Sequence, residues 1–231
     1  MIQHQNAFEI DQKNYVAHVN LKVIEEDENI LSPYFSNWYS KVVRVAEIFF
    51  SIALFLVFVL CLPFVWLSNL VFSPGPLFYR QSRVGKNGKI FTIIKFRSMK
   101  VDAEPDGVAR FTIENDKRIT PVGNFLRKTR VDELPQIINI LCGEMTLIGP
   151  RPERPEFVRE FIKQEPHYEL RSLVKPGITG WGQVKYKYTS TLEEGLKKLE
   201  YDLHFIKNRN LSMDFEIICR TFITVASRAG T

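Results

Sequence analysis

The sequence predicts an α/β protein with a helical bias. It is expected to be membrane-embedded and monotopic, with a re-entrant helix, a small β-hairpin and amphipathic interfacial helices. Three observations carry this expectation. An apolar run without a charged residue covers Ile48 to Phe72. Two strand-like segments flank Asn87-Gly88. Three later stretches repeat apolar residues at helical spacing.

The composition bounds the class. A chain of 231 residues holds one domain with a real core, or one domain plus a membrane element. With 45% hydrophobic and 25% charged residues, extended disorder is excluded for most of it. The net charge of +5 suits anionic partners such as nucleic acid, acidic lipid head groups or phosphorylated small molecules, and equally suits a solvated basic surface. Cys61, Cys142 and Cys219 lie far apart and form neither a zinc signature nor a disulfide framework. Each has apolar neighbours and is expected in the core or the membrane. The polar start of the chain is unlike a secretory signal peptide, so segments beyond the apolar run are expected to stay in the cytoplasm.

Residues 1–40 read as an acidic N-terminal arm, with one short strand at Tyr15 to Val23. Residues 41–76 are the expected re-entrant membrane helix, and 77–231 a catalytic domain at the cytoplasmic face. As a straight helix, Ile48 to Phe72 reaches about 37 Å, against a hydrocarbon core of about 30 Å. Pro63 interrupts it, and cations flank both ends: Lys41 and Arg44 before, Arg80, Arg83, Lys86 and Lys89 after. Proline kinks helices, and positive flanks favour the cytoplasm. A helix that breaks at Pro63 and returns to the same leaflet satisfies both.

Beyond the Ser73-Pro-Gly-Pro76 stop, Leu77 to Val84 and Lys89 to Phe96 form a hairpin, because Asn87-Gly88 suits a type I′ turn. Residues 101–116 read as a polar loop. Leu134, Ile137, Ile138 and Leu141 mark a short amphipathic helix that starts at Asp132-Glu133 and stops at Gly143. Leu192, Leu196, Leu199, Leu203 and Ile206 mark a second helix. Leu211, Phe215, Ile218, Phe222 and Val225 mark a third, with its stripe on lipid or on other helices.

The chemistry concentrates at Asp132-Glu133. Arg127, Lys128 and Arg130 precede this pair. A helix N-terminus and a nearby arginine both lower a carboxylate pKa, so Asp132 is expected to ionise fully. An ionised Asp132 can attack phosphorus as a covalent nucleophile, and Glu133 can bind Mg²⁺. Helix N-termini also attract acids for stability alone. Lys95 and Arg97 share a strand face and can clamp a diphosphate, or can simply charge a strand edge. Arg151, between two prolines, suits a phosphate or a nucleobase. The glycines of Pro176 to Gly182 admit a phosphate or make a tight turn.

These pieces, in this order, resemble the bacterial sugar transferase family, the monotopic polyprenyl-phosphate hexose-1-phosphate transferases. The matching segments begin with Ser73-Pro-Gly-Pro-Leu-Phe-Tyr-Arg-Gln81, Arg83-Val-Gly85, Lys95-Phe-Arg-Ser-Met99 and Arg118-Ile-Thr-Pro-Val-Gly123. They continue through Phe125-Leu-Arg127, Asp132-Glu-Leu-Pro-Gln136, Gly149-Pro-Arg-Pro152, Lys175-Pro-Gly-Ile-Thr-Gly-Trp181 and Tyr201-Asp202.

The resemblance implies transfer of a sugar 1-phosphate from a UDP-sugar to undecaprenyl phosphate with Mg²⁺ and release of UMP. It implies a core without the extra transmembrane helices of larger members. It places the protein in the bacterial inner membrane, among its lipids, with the active site on the cytoplasmic face and no nucleic-acid partner; a homodimer is left open. Asp132 resembles the nucleophile, Glu133 the metal partner, Lys95 and Arg127 the phosphate-binding cations, and Arg151 the nucleotide contact. The family's Ser-Pro at the membrane break is Leu62-Pro63 here. The stretch behind it is about three residues shorter than usual. The family's Ala-Gln-Val-Asn-Gly-Arg is replaced by Gly182 to Tyr188, so no sugar preference carries over. The rivals are a membrane-associated glycosyltransferase that releases UDP and a non-enzymatic basic membrane anchor.

Overall fold

The computed structural model describes residues 31–32, 38–113, 115–186 and 191–227. The expected strand at residues 15–23 and nearly all of the acidic arm lie outside them. A 35-residue helix, α1 (Trp38–Phe72), comes first. The hairpin β1 (Phe78–Val84) and β2 (Ile90–Phe96) follows. Next come α2 (Pro121–Lys128), a 3-10 segment (Val131–Gln136), α3 (Ile137–Leu141) and β3 (Thr146–Ile148). The chain continues through α4 (Pro155–Gln164), a second 3-10 segment (Pro166–Leu173) and β4 (Gly177–Thr179). It closes with α5 (Trp181–Lys185), α6 (Leu192–Asn208) and α7 (Leu211–Ala226).

α1 is long and apolar enough to cross a membrane. It runs uninterrupted through Pro63, where two arms were expected. Pro63 removes one backbone donor, but α1 is packed on both sides of it. Phe58 and Val65 are buried against Phe96 and Leu126, with Leu62 between them. The buried positions Glu47, Ser51, Phe58, Val65 and Asn69 recur every four or seven residues and define one face. Phe49, Leu60 and Phe64 on other faces are 70–74% exposed.

Polar clamps fix both ends of that face. Near the start, Arg44 Nη2 donates to Ile140 O at 2.7 Å, and Glu47 accepts from the Leu147 N–H at 3.1 Å and from the Thr146 hydroxyl. At the far end Arg97 supplies the clamp. Its Nε donates to Pro76 O at 2.6 Å, and its Nη2 to Asn69 Oδ1 at 2.9 Å and to Ser73 O.

The hairpin pairs Phe78 with Phe96 through Val84 with Ile90. Asn87 (φ 55°, ψ 32°) and Gly88 (φ 72°) are both left-handed, as a type I′ turn requires, and Lys89 N–H closes it on Lys86 O at 3.2 Å. The second pair, β3 with β4, is parallel and joins Thr146 to Gly177 and Ile148 to Thr179. It is a backbone seam. A Cβ on Gly177 would lie 2.1 Å from Gly149 N. The glycine-rich stretch from Pro176 is therefore strand and close packing, and its Gly177 N–H is taken by Pro150 O at 2.9 Å.

The two later stripes part company. In α6, Leu199 and Ile206 are core residues. In α7 the stripe faces outward: Phe215 is 70% and Phe222 64% exposed, whereas Met213 and Ile217 form the packed side. The cysteines are unpaired, and Cys142 is exposed, not core.

Candidate active site

The acidic pair owes its position to three local features. Thr120 caps α2 by accepting from the Gly123 N–H at 3.0 Å, with Pro121 in the first turn. α2 then carries Arg127 in its last turn. Arg130 is left-handed (φ 58°, ψ 12°), a conformation unfavourable for a residue with a Cβ. It turns the chain so that Val131–Gln136 runs as a 3-10 segment with Asp132 and Glu133 buried. The expected helix therefore begins as this tighter turn and becomes α-helical only at Ile137. Gly143 (φ 81°) lies just past its end.

Asn139 docks that segment on the hairpin. It is 2% exposed. Its Oδ1 accepts from the Ile94 N–H at 3.2 Å, and its Nδ2 donates to Thr92 O at 2.8 Å. These are strand groups, so the side chain substitutes for a missing neighbour strand. Lys95, the next residue of β2, is thereby set against the acidic pair.

Glu133 Oε1 accepts from Lys95 Nζ at 2.8 Å and from Arg151 Nη2 at 2.9 Å. Three residues far apart in sequence thus meet. Burial alone would raise the Glu133 pKa, but Arg151 and Lys95 outweigh it and hold the carboxyl well below its usual range. Burial pulls the Lys95 ammonium down to about 8, against the charge of Glu133. Asp132 goes the opposite way from the expected full ionisation. Burial, then the charge of Glu133, push it up to about 6, against Lys95 and Arg127. Lys95, the cation with the largest effect on Asp132, pairs with its neighbour.

Two polar atoms here are buried without a hydrogen-bond partner: Asp132 Oδ1 and Arg127 Nη1. Arg127 Nη2 contacts Thr112 Oγ1 at 3.4 Å, in the loop after the hairpin. That loop is tied down by Glu104, which accepts twice from Arg154 Nη1 at 2.9 Å. A buried guanidinium nitrogen and a buried carboxylate oxygen, each with free valence, suit an anion and a cation respectively.

Mg²⁺ fits this donor set. Asp132 and Glu133 are adjacent hard oxygen donors, and Asp132 Oδ1 is unsatisfied. Among the described residues no cluster of three or more His, Cys, Asp or Glu occurs. Two carboxylates plus substrate phosphates are a usual magnesium environment.

Lys95, Arg127, Asp132, Glu133 and Arg151 therefore gather at one place. Arg97 does not join them: its guanidinium is taken up by the carbonyls and Asn69 at the end of α1. Pro63 lies within α1 and makes none of these polar contacts. Residues without an assigned role in the sequence reading surround it. Arg83 lies 3.6 Å from Glu153, and Arg171 Nε donates to Asp202 Oδ2 at 2.9 Å. Arg83 and Asp202 fall within segments of the resemblance. Asn139 had a different signal, a polar residue among the apolar positions of a short amphipathic helix.

Comparison with known proteins places these residues in context. A model of the bacterial sugar transferase family matches residues 38–228. A UDP-N-acetylgalactosamine-undecaprenyl-phosphate N-acetylgalactosaminephosphotransferase of Aeromonas hydrophila is 45% identical over 158 residues, covering 68% of this chain and 37% of its own. A UDP-glucose:undecaprenyl-phosphate glucose-1-phosphate transferase of Escherichia coli K12 is 46% identical over 155 residues, 66% of this chain and 32% of its own. The exopolysaccharide production protein PSS of Rhizobium leguminosarum is 37% identical over 191 residues, 80% of this chain and 95% of its own. The chain thus spans about a third of the length of the first two relatives.

Proposed function

The chain belongs to the bacterial sugar transferase family, and from that premise we propose that it transfers a sugar 1-phosphate from a UDP-sugar to undecaprenyl phosphate. UMP is released, and Asp132 carries the phosphosugar between the two substrates. The observation that carries this reading is the division of labour in the acidic pair. Glu133 is neutralised by Lys95 and Arg151, whereas Asp132 keeps a buried oxygen without a partner.

In the first step a carboxylate oxygen of Asp132 attacks the phosphorus that bears the sugar. The bond from that phosphorus to the bridging oxygen breaks, and UMP leaves with the electron pair. In the second step an oxygen of undecaprenyl phosphate attacks the same phosphorus, and the Asp132 carboxylate leaves. With a pKa of about 6, Asp132 is mostly ionised at neutral pH and still a good nucleophile. Arg127, Lys95 and Arg151 neutralise the phosphates, which is most of what phosphoryl transfer requires. Glu133 would hold Mg²⁺ beside the Asp132 carboxylate, and the ion when bound would screen the diphosphate charge.

A one-sided arrangement, with α1 lying along the membrane face of the body, gains support from the clamps on α1. Arg44 and Glu47 tie its start, and Arg97 ties its end, to one globular body. Both ends then belong on one side of the bilayer, with residues 77–231 at the cytoplasmic face. The exposed apolar faces of α1 and α7 are the lipid-facing surface in this arrangement. The relatives' names give different sugars, so the donor sugar stays outside the proposal.

The test is nucleotide release by purified protein in detergent with undecaprenyl phosphate, Mg²⁺ and single UDP-sugars. UMP release with one donor supports the reading. UDP release favours the glycosyltransferase alternative, and no release with any donor favours the anchor.

A further inference from the structure

The turn that presents Arg151 has three successive carbonyls, each held by a separate donor. Gly177 N–H reaches Pro150 O at 2.9 Å, Arg171 Nη2 reaches Arg151 O at 2.9 Å, and Arg83 Nη1 reaches Pro152 O at 3.0 Å. Pro150 and Pro152 fix φ on either side. The backbone at Arg151 is thus constrained from both the dihedral and the hydrogen-bond side.

Arg171 is itself oriented at three points. Nε donates to Asp202 Oδ2 at 2.9 Å, and Nη1 donates to the Tyr168 hydroxyl at 2.8 Å. Its guanidinium also lies 4.7 Å from the Tyr168 ring centre. The Arg171 and Asp202 side chains are 9% and 3% exposed. A Cβ at Gly182 would come within 2.5 Å of Asp202 Oδ1, so the chain leaves room there for this carboxylate. A buried ion pair adds little net stability, because desolvation offsets most of its attraction. Stability alone therefore does not account for such a pair behind the active site.

We propose that Arg171, oriented by Asp202, is a positioning residue that holds the Arg151 carbonyl and so aims the Arg151 guanidinium at Glu133 and the donor phosphates. The link crosses four parts of the fold: α6, the 166–173 segment, the Pro150–Pro152 turn and the acidic segment. What Arg151 binds rests on the function proposed above. The backbone link itself does not.

The test is a double-mutant cycle on UMP release. Arg171→Lys keeps the charge but not the bonding fork, and is expected to lower the kcat/KM of the folded protein about 10- to 100-fold. In an Arg151→Ala background the same change is expected to cost less than about twofold. An equal factor in both backgrounds, or an unchanged rate in Arg171→Lys alone, overturns the proposal. Where Arg171→Lys fails to fold, Asp202→Asn takes its place in the cycle. Absence of UMP release by the unaltered protein refutes the functional reading separately, and amide exchange over residues 149–154 then decides. Faster exchange there in the variant supports positioning, and unchanged exchange overturns it.

Discussion

Lys95 Nζ stands 2.8 Å from Glu133 Oε1, and this contact holds a fixed negative charge beside the buried Asp132. Two adjacent buried carboxylates compete for the same cations. Glu133 takes Lys95 and Arg151 and is held ionised. Asp132, pushed up first by its own burial and then by that fixed negative charge, is raised to about 6. The pair is thereby split into a permanent anion and a group that titrates just below neutrality.

A bell-shaped pH dependence follows. Activity needs Asp132 ionised and Lys95 charged, so kcat/KM is expected to rise through about pH 6 and fall through about pH 8. Glu133 raises both values. Glu133→Gln is therefore expected to move both limbs towards lower pH, beside lowering the rate. Limbs that stay in place in this variant would refute the coupling.

Stability has a sign of its own. The folded-state pKa of Asp132 lies above its ordinary 3.8. Folding is thus favoured by its protonated form, and that contribution is lost as pH rises from about 4 through about 6. Asp132→Asn removes the ionisation. At pH 7 it is expected to abolish turnover, by at least about a thousandfold, while the melting temperature stays or rises. A large fall in melting temperature would contradict this balance.

Arg97 gives the converse case. Arg97→Ala leaves Asn69 Oδ1 and the carbonyls of Ser73 and Pro76 without their donor. A loss of about 3 kcal/mol in stability is expected. The KM for the UDP-sugar of the folded fraction is expected to stay within about twofold. A raised KM with unchanged stability would return Arg97 to the phosphate site.

Gly177→Val tests the seam beneath the Arg151 turn. The new side chain meets Gly149 backbone, which cannot yield as a flexible side chain does. Thermal unfolding is expected to show a loss of several kcal/mol or failure to fold. Near-unchanged stability would mean that the two strands separate easily.

Much of this arrangement was legible in the sequence, where the signal is local. Asn87-Gly88 demands left-handed dihedrals, and the turn has them. The stripe Leu134, Ile137, Ile138 and Leu141 announces a helix face: Ile137 is core and Leu134 and Ile138 pack against the core, whereas Leu141 is 37% exposed and Ile140, outside the stripe, is core. The acidic pair and Arg151 stood out by residue type and neighbours. What was not legible depends on contacts across long separations. Lys95 and Arg97 share a strand face on paper, yet the acceptors of Arg97 come from the end of α1, beyond any local pattern. The α7 stripe marks a face without saying what covers it. The Asp132 pKa followed burial and Glu133, which adjacency to arginines in sequence does not reveal. Left-handed Arg130 and internal Pro135 made the start of the acidic helix a 3-10 turn.

The central claim is that Asp132 becomes covalently loaded. The most direct measurement is the intact mass of purified protein mixed with its UDP-sugar and Mg²⁺ in the absence of undecaprenyl phosphate. One sugar-phosphate adduct per chain is predicted, on the peptide that contains Asp132, with an equal amount of UMP and with no adduct in Asp132→Asn. UMP formation only when undecaprenyl phosphate is present, together with turnover retained in Asp132→Asn, would contradict it and point to direct transfer.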